Sequence, residues 1–242
     1  MGSDDAFGAA LLDWVTGGST SEVIERDDGY VEDGAGPDAY IAPLAGWPDA
    51  EREAVLHVRG RVLDAGCGAG RVALVLQQRG LEVVGIDESR LAVRAARHFG
   101  VRQVRCASIT VLAREIASFD SVILFGNNFG IFGTPERARR SLTAWARRAA
   151  PGTRIFAEST NAYTGGAPII DRGYYRANQR RGLAPGTTRM RFRYGELVGP
   201  WLNWLFVSQG EMRQIVRGTG WTVAEVLGAG PSEPYVAILE RR

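Results

Sequence analysis

Arg61-Val62-Leu63-Asp64-Ala65-Gly66-Cys67-Gly68-Ala69-Gly70-Arg71 is the stretch that decides the fold. A short apolar strand runs directly into three alternating glycines, and a helical pattern follows at once. The strand delivers the chain to the carboxyl edge of a sheet, where it must turn sharply and leave room for a ligand to touch backbone. Glycine permits both, having no Cβ and tolerating positive φ. The helix beginning near Gly70 then presents unpaired N–H groups. The next strand-like run, Glu82-Val83-Val84-Gly85-Ile86-Asp87, ends in an acid. An acid about 20 residues beyond such a turn accepts hydrogen bonds from ribose hydroxyls.

The glycine spacing separates two kinds of ligand. A dinucleotide fingerprint reads G-x-G-x-x-G and cradles a pyrophosphate. Here the pattern is G-x-G-x-G, and Asp64 stands two residues before the first glycine. A carboxylate there repels a pyrophosphate but favours an ammonium or sulfonium, so a cationic, phosphate-free adenosine ligand is expected. Residues 62–70 resemble motif I of the class I S-adenosylmethionine-dependent methyltransferases, and Val84-Gly85-Ile86-Asp87 resembles their ribose-binding strand end. The resemblance extends over roughly residues 58–160 and more loosely beyond.

Around this centre the chain alternates strand and helix, which argues for a parallel sheet. Strands are expected at 61–65, 82–86, 102–106, 121–125 and 154–158. Helices are expected at 70–79, at about 89–99 and after Thr134-Pro135, where threonine caps and proline takes the first helical position. Ser208-Gln209-Gly210-Glu211 is a capping box. Runs 221–227 and 235–239 close the sheet as this family commonly does. The expected fold is α/β and Rossmann-like: seven mostly parallel strands, helices on both faces, and an antiparallel last strand.

The flanks do not match the family pattern. Residues 1–57 are read as an N-terminal extension or lid, with a short helix around Leu11–Val15, turn-rich segments at 25–37 and a helix start after Pro48. Residues 58–242 are read as the methyltransferase domain, with an active-site insertion at about 161–207. Within it, 161–185 lacks periodicity, while 190–194 and 202–207 read as an antiparallel pair.

Composition narrows the function. At 242 residues, 45% hydrophobic and 23% charged, the chain suits one α/β domain with additions. Net charge is +2, and all 29 basic residues are Arg. Near-neutrality argues against a general nucleic-acid partner. The sequence has no apolar run long enough to span a membrane and no secretory pattern at its start, so a cytoplasmic location is expected. Two isolated cysteines and two isolated histidines offer neither a disulfide nor metal-ligand spacing. The oligomeric state, monomer or homodimer, stays open.

The resemblance implies S-adenosyl-L-methionine as cofactor. Gly66, Cys67, Gly68 and Gly70 would line its methionine part, with Asp64 near its amino group. Asp87 would hold the ribose and Glu88 lie beside the adenosine. Ser108 and Ile109 stand where many members place an acid against adenine. Phe125 ends the fourth strand, facing the transferred methyl, and Asn127 and Glu158 are the catalytic candidates. Tyr30, Tyr40, Asn128, Phe129, Tyr174 and Trp201 are candidates for walling the acceptor pocket. The expected activity is methylation of a small molecule by proximity and alignment. Two alternatives remain: an RNA or protein methyltransferase using the seven arginines of 172–193, and a non-catalytic S-adenosylmethionine-binding or interaction protein.

Overall fold

The structure, a computed structural model, describes residues 4–164, 169, 171–228, 230 and 233–242. Gly165, Gly166 and Pro168 of the aperiodic segment lie outside them. The extension forms α1 (Ala6–Trp14), β1 (Val23–Arg26), β2 (Val31–Asp33), α2 (Pro37–Tyr40) and α3 (Asp49–Ala54). The alternating core follows as β3 (Arg61–Ala65), α4 (Arg71–Gln78), β4 (Glu82–Asp87), α5 (Arg90–Phe99), β5 (Val104–Cys106), α6 (Leu112–Glu115), β6 (Ser121–Leu124), α7 (Pro135–Ala146) and β7 (Arg154–Thr160). Beyond it come α8 (Arg172–Arg180), β8 (Thr187–Tyr194), β9 (Leu197–Val198), β10 (Leu202–Leu205), α9 (Gln209–Val216), β11 (Trp221–Leu227) and β12 (Pro234–Arg241).

The central sheet has seven strands in the order β11-β12-β7-β6-β3-β4-β5. Pairings from β7 to β5 are parallel, and β12 runs antiparallel to both neighbours. Alternate residues of each strand feed two cores, as a two-residue side-chain period requires. On one face Leu63, Val122, Leu124, Ile155 and Ala157 meet Leu142 and Trp145 of α7 and Ile215 of α9. On the other, Val62, Ile123 and Phe156 meet Ala54 of α3, Leu76 of α4 and Val93 of α5. Asp64 and Glu158 share the strand parity of this second face, a placement that matters below.

The local signals explain the helices. Ser89 caps α5 through Ala92 N–H, and Gly100 ends it at φ +109°. Thr134 caps α7 with Pro135 in its first turn, and Ser208 and Glu211 complete the capping box of α9.

Three features differ from the sequence reading. The turn-rich 25–37 segment contains two strands, because Asp28-Gly29 makes a tight turn in which Arg26 N–H donates to Tyr30 O at 2.8 Å. The aperiodic 161–185 stretch contains α8, capped by Asp171. Its buried residues are Tyr174, Tyr175 and Asn178, too few and too mixed to give an apolar stripe. The extension and the insertion are also joined. β1 pairs antiparallel with β8 as well as β2, giving a five-stranded cap sheet β10-β8-β1-β2 with β9 on β8. Among the described residues, no helix is long and apolar enough to cross a membrane.

Candidate active site

The strand order reverses between β3 and β6, so their carboxyl ends open a crevice where open α/β sheets bind ligands. The glycine turn lies on one side of it. Gly66 and Cys67 both donate N–H to Ile86 O, at 2.9 and 3.0 Å. Gly66 has φ +73° and Gly70 φ +85°. A Cβ on Gly66 would stand 2.7 Å from Asn128 Nδ2, and one on Gly70 would stand 2.4 Å from Val101 Cγ2. Backbone conformation and space therefore both require glycine here.

Asp87 closes the turn from the next strand. Its Oδ2 accepts Gly68 N–H at 3.0 Å and its Oδ1 accepts Ser89 N–H at 2.9 Å. Burial raises its pKa against the effect of those two donors. Each carboxylate oxygen keeps a second lone pair for a ligand hydroxyl. Helix α1 comes down over this corner. Ser89 Oγ donates to Asp5 Oδ2 at 2.7 Å, and Leu11 Cδ1 lies 3.6 Å from the Cβ position of Gly68. Glu88 is exposed beside the turn. Across the strand ends, Ser108 Oγ accepts Thr110 N–H, and Ile109 packs on the core. Cys67 is buried, with its thiol pushed up by burial and then by Asp64 and Asp87.

Behind the glycine turn lies a buried acidic cluster. Arg71 makes a two-pronged ion pair with Glu51 at 2.6 and 2.7 Å, and its guanidinium stacks over Trp47 at 4.6 Å. Asp64 Oδ2 accepts Ala73 N–H at 3.1 Å, which ties β3 to the first turn of α4. Burial raises Asp64 to about 7, opposed mainly by Arg71. Glu51 and Glu158 both accept Gly126 N–H, at 3.2 and 2.7 Å. Three carboxyl groups thus share one guanidinium, and Asp87 stands beyond Asp64. This surplus of buried acid suits a ligand carrying ammonium or sulfonium charge and disfavours a pyrophosphate.

The turn after β6 forms the opposite wall. Asn127 sits in the left-handed region at φ +60°, rare for a non-glycine residue and common at functional turns. Its Oδ1 accepts the Thr160 hydroxyl at 2.8 Å, and its carbonyl accepts Trp204 Nε1–H at 3.1 Å. Asn128 reaches across the crevice, its Nδ2 donating to Gly66 O at 2.8 Å and Ala65 O at 3.2 Å. Asn128 therefore braces the glycine turn.

Several expected pocket residues have other occupations. Phe129 is fully buried against Phe132, so it is core and not a pocket wall. Phe125 is likewise buried, in the layer beneath the site. Tyr30 and Tyr174 sandwich Arg26 at 4.7 and 4.3 Å, so the cation they meet is the protein's own. Tyr174 also donates to Asp27 Oδ1. Trp201 lies beneath Arg189 and Arg191 on the cap sheet. Tyr40 stacks on Trp14 at 5.4 Å and lies beside Glu22, within electrostatic reach of Arg71. Glu158 has 1% of its surface exposed.

Sequence reasoning missed Glu51, Arg71, Ser89 and Thr160. Only Ser89 carried a local signal, as the cap of α5. Glu51 and Arg71 lie 20 residues apart and meet only through the fold.

With this geometry in place, comparison with known proteins is specific. Residues 62–152 match the family model described as a methyltransferase domain. The ubiquinone biosynthesis O-methyltransferase of Alkalilimnicola ehrlichii is 41% identical over 61 residues, 25% of each chain. The 2-heptyl-1-hydroxyquinolin-4(1H)-one methyltransferase of Mycobacteroides abscessus is 32% identical over 73 residues, 30% of each. The chain thus aligns with between a quarter and a third of the length of these curated relatives. A SAM-dependent methyltransferase from Bacteroides fragilis, solved with S-adenosyl-L-homocysteine, shares the fold at TM-score 0.79 and 24% identity, over 100% of this chain and 96% of that one. Residues 62–152 thus carry a methyltransferase domain, and the chain as a whole shares the class I S-adenosylmethionine-dependent methyltransferase fold. The methyltransferase-domain match and the S-adenosyl-L-homocysteine bound in the Bacteroides fragilis structure support S-adenosyl-L-methionine as the cofactor.

Proposed function

We propose that this protein transfers a methyl group from S-adenosyl-L-methionine to a small-molecule acceptor held beneath the cap sheet. When bound, the cofactor supplies a methyl on a sulfonium, an electrophile that needs no further activation. The chain's own residues bind, orient and exclude water. Asp87 holds the ribose hydroxyls, and the Gly66–Gly70 turn lines the methionine arm. Asp64 faces its positive charge. Asn127, fixed by Thr160 and Trp204, is the polar group at the end of β6, where acceptor and methyl are to meet.

The observation that carries the acceptor class is the commitment of two arginines of the cap strands, Arg26 and Arg191, although Arg172, Arg176, Arg180, Arg181 and Arg189 are exposed. Arg26 is 3% exposed and holds Asp28, Asp171 and the Ile169 carbonyl. Arg191 holds Glu25, and Arg189 and Arg191 cover Trp201. A polynucleotide reader keeps such groups open for phosphates. The two curated relatives' names, one giving ubiquinone biosynthesis and the other a hydroxyquinolinone, also favour a small molecule.

The test is release of S-adenosyl-L-homocysteine over a panel of hydroxylated aromatics, amines, RNA and protein. Turnover with a small molecule and a weak salt response is expected. Turnover on RNA alone, falling steeply with salt, overturns the acceptor class. Tight cofactor binding with no turnover on any acceptor points to a binding protein.

A further inference from the structure

Glu51 and Glu158 come from distant parts of the chain and converge on a single donor. Glu51 rises from α3 and Glu158 from the end of β7, and both accept Gly126 N–H. Each is 1% exposed. Two oxygens about 3 Å from one hydrogen-bond donor bring two carboxyl groups into contact away from water. Two like charges in that position cannot both persist, so one group must keep its proton. The neighbours decide which. Glu51 has both oxygens on the Arg71 guanidinium, a fork that selects the carboxylate. Glu158 makes no direct ion pair with Arg71, and its first polar neighbours are Gly126 N–H and Glu51 itself. The charged groups facing Glu158 are Glu51 from α3 and Arg71 from α4, with Asp64 of β3 beyond Arg71. Burial, then Glu51, raises its pKa, whereas Arg71 overcomes the burial of Glu51 and lowers that of its partner.

We propose that Glu158 is a neutral carboxylic acid that donates a hydrogen bond to Glu51 and positions the Gly126–Asn128 turn, instead of acting as a base on the acceptor. The link to the site is short. Gly126 N–H fixes the start of the turn, Asn127 follows in its left-handed conformation, and Asn128 holds the Gly66 carbonyl of the cofactor turn. Removing the proton from Glu158 sets two carboxylates against each other and frees that turn. Glu158 is then a positioning residue, and its protonation state reaches the cofactor through Asn128. This inference rests on the reading of the site as one for S-adenosyl-L-methionine.

Glutamine is the discriminating substitution. Its amide nitrogen can donate to Glu51 and its oxygen can accept Gly126 N–H, while it can neither ionise nor take a proton from an acceptor. The probe is S-adenosyl-L-homocysteine, with affinity read by calorimetry from about pH 6 to about pH 9.5, spanning the range in which a raised carboxyl ionises. In the unmodified protein affinity should fall at least about tenfold toward the alkaline end. E158Q should match the neutral-pH affinity and abolish that fall, whereas E158A should weaken binding about tenfold throughout. Infrared spectroscopy supplies an independent readout, and it keeps the inference testable should E158A fail to fold. A protonated carboxylic acid carbonyl band should be present in the unmodified protein and lose the Glu158 share of its intensity in E158Q, while the share from Asp64 stays and disappears as the pH rises above about 7. A band unchanged in E158Q, no such band in the unmodified protein, or an E158Q affinity as poor as that of E158A overturns the proposal. Failure of the unmodified protein to bind S-adenosyl-L-homocysteine at any pH instead overturns the functional reading itself.

Discussion

Asp64 and Asp87 are 23 residues apart in sequence and stand together at the site, yet they do different work. Asp87 has both oxygens anchored by backbone N–H groups and is tethered through Ser89 to Asp5, the N-cap of α1. D87A removes those anchors together with the ribose contact. Hydrogen bonds to a charged group contribute roughly 1.5–3 kcal/mol each, so affinity for S-adenosyl-L-homocysteine should fall about 100-fold by calorimetry. An unchanged affinity would remove Asp87 from the ribose role. Asp64 instead carries a pH signature. Its pKa is raised from 3.8 to about 7, so the folded state holds the proton more tightly than the unfolded chain. The stability this lends is fully present below about pH 4 and is lost as pH rises through about 7. Its upper bound by linkage is about 4 kcal/mol. D64N keeps an acceptor for Ala73 N–H and does not titrate. Thermal unfolding of the unmodified protein should therefore fall relative to D64N between those pH values and run parallel above them. At about pH 8 D64N should be the more stable protein and the weaker binder of cofactor. Parallel melting curves throughout the window rule out the raised Asp64.

Between elements, the critical contact is that of the cap sheet with the turn after β6. The indole of Trp204 of β10 packs against Gly130, where a Cβ would stand 2.0 Å from Nε1. Gly130 is absent from the positive-φ glycines, so alanine there meets a steric conflict and no backbone strain. A rigid indole held by Asn127 O cannot yield cheaply. G130A should cost about 1–3 kcal/mol, as other overpacked sites do, and lower kcat more than cofactor affinity, since it displaces the acceptor side. Chemical denaturation and steady-state kinetics check both; equal losses in kcat and cofactor affinity contradict the separation. This element also shows what a sequence can and cannot disclose. The glycine turn, the place of Asp87 at the end of the next strand, the core strands and the capped helices α5, α7 and α9 were legible because each rests on a local rule: a spacing, a cap or an alternation. The pairing of β1 with β8 joins segments more than 160 residues apart and has no local mark. The same holds for Glu51 with Arg71 and for Trp204 on Gly130. Phe129 misled for the converse reason: beside two asparagines it resembles a pocket wall, and only the packing with Phe132 shows it to be core.

At the scale of the whole molecule, the central sheet, with cores on both faces, is one body, and the cap is a second sheet whose strands come from before it and from an insertion within it in sequence. Beside the β1–β8 pairing, Arg26 is the buried side chain that joins the two sources. It leaves β1 of the extension, stacks between Tyr30 and Tyr174, and binds Asp171 and the Ile169 carbonyl of the insertion. Its partners Asp28 and Asp171 are about half exposed, so they regain water if it is lost. The cost of R26A is therefore lost packing and stacking more than stranded charge. An order of about 2 kcal/mol is expected, falling on the cap and not on the central sheet. Because all 29 basic residues are arginines spread along the chain, trypsin can read that distribution directly. In R26A, cleavage should begin at Arg172, Arg176, Arg180 and Arg181 of the α8 region, while Arg61, Arg71 and Arg154 of the central layer stay protected. Affinity for S-adenosyl-L-homocysteine should change by less than about threefold, since the glycine turn and Asp87 belong to the other body, whereas acceptor turnover should drop sharply. Uniform cleavage along the chain, or loss of cofactor affinity in step with turnover, would mean that cap and core unfold as one unit and that Arg26 does not join two separable parts.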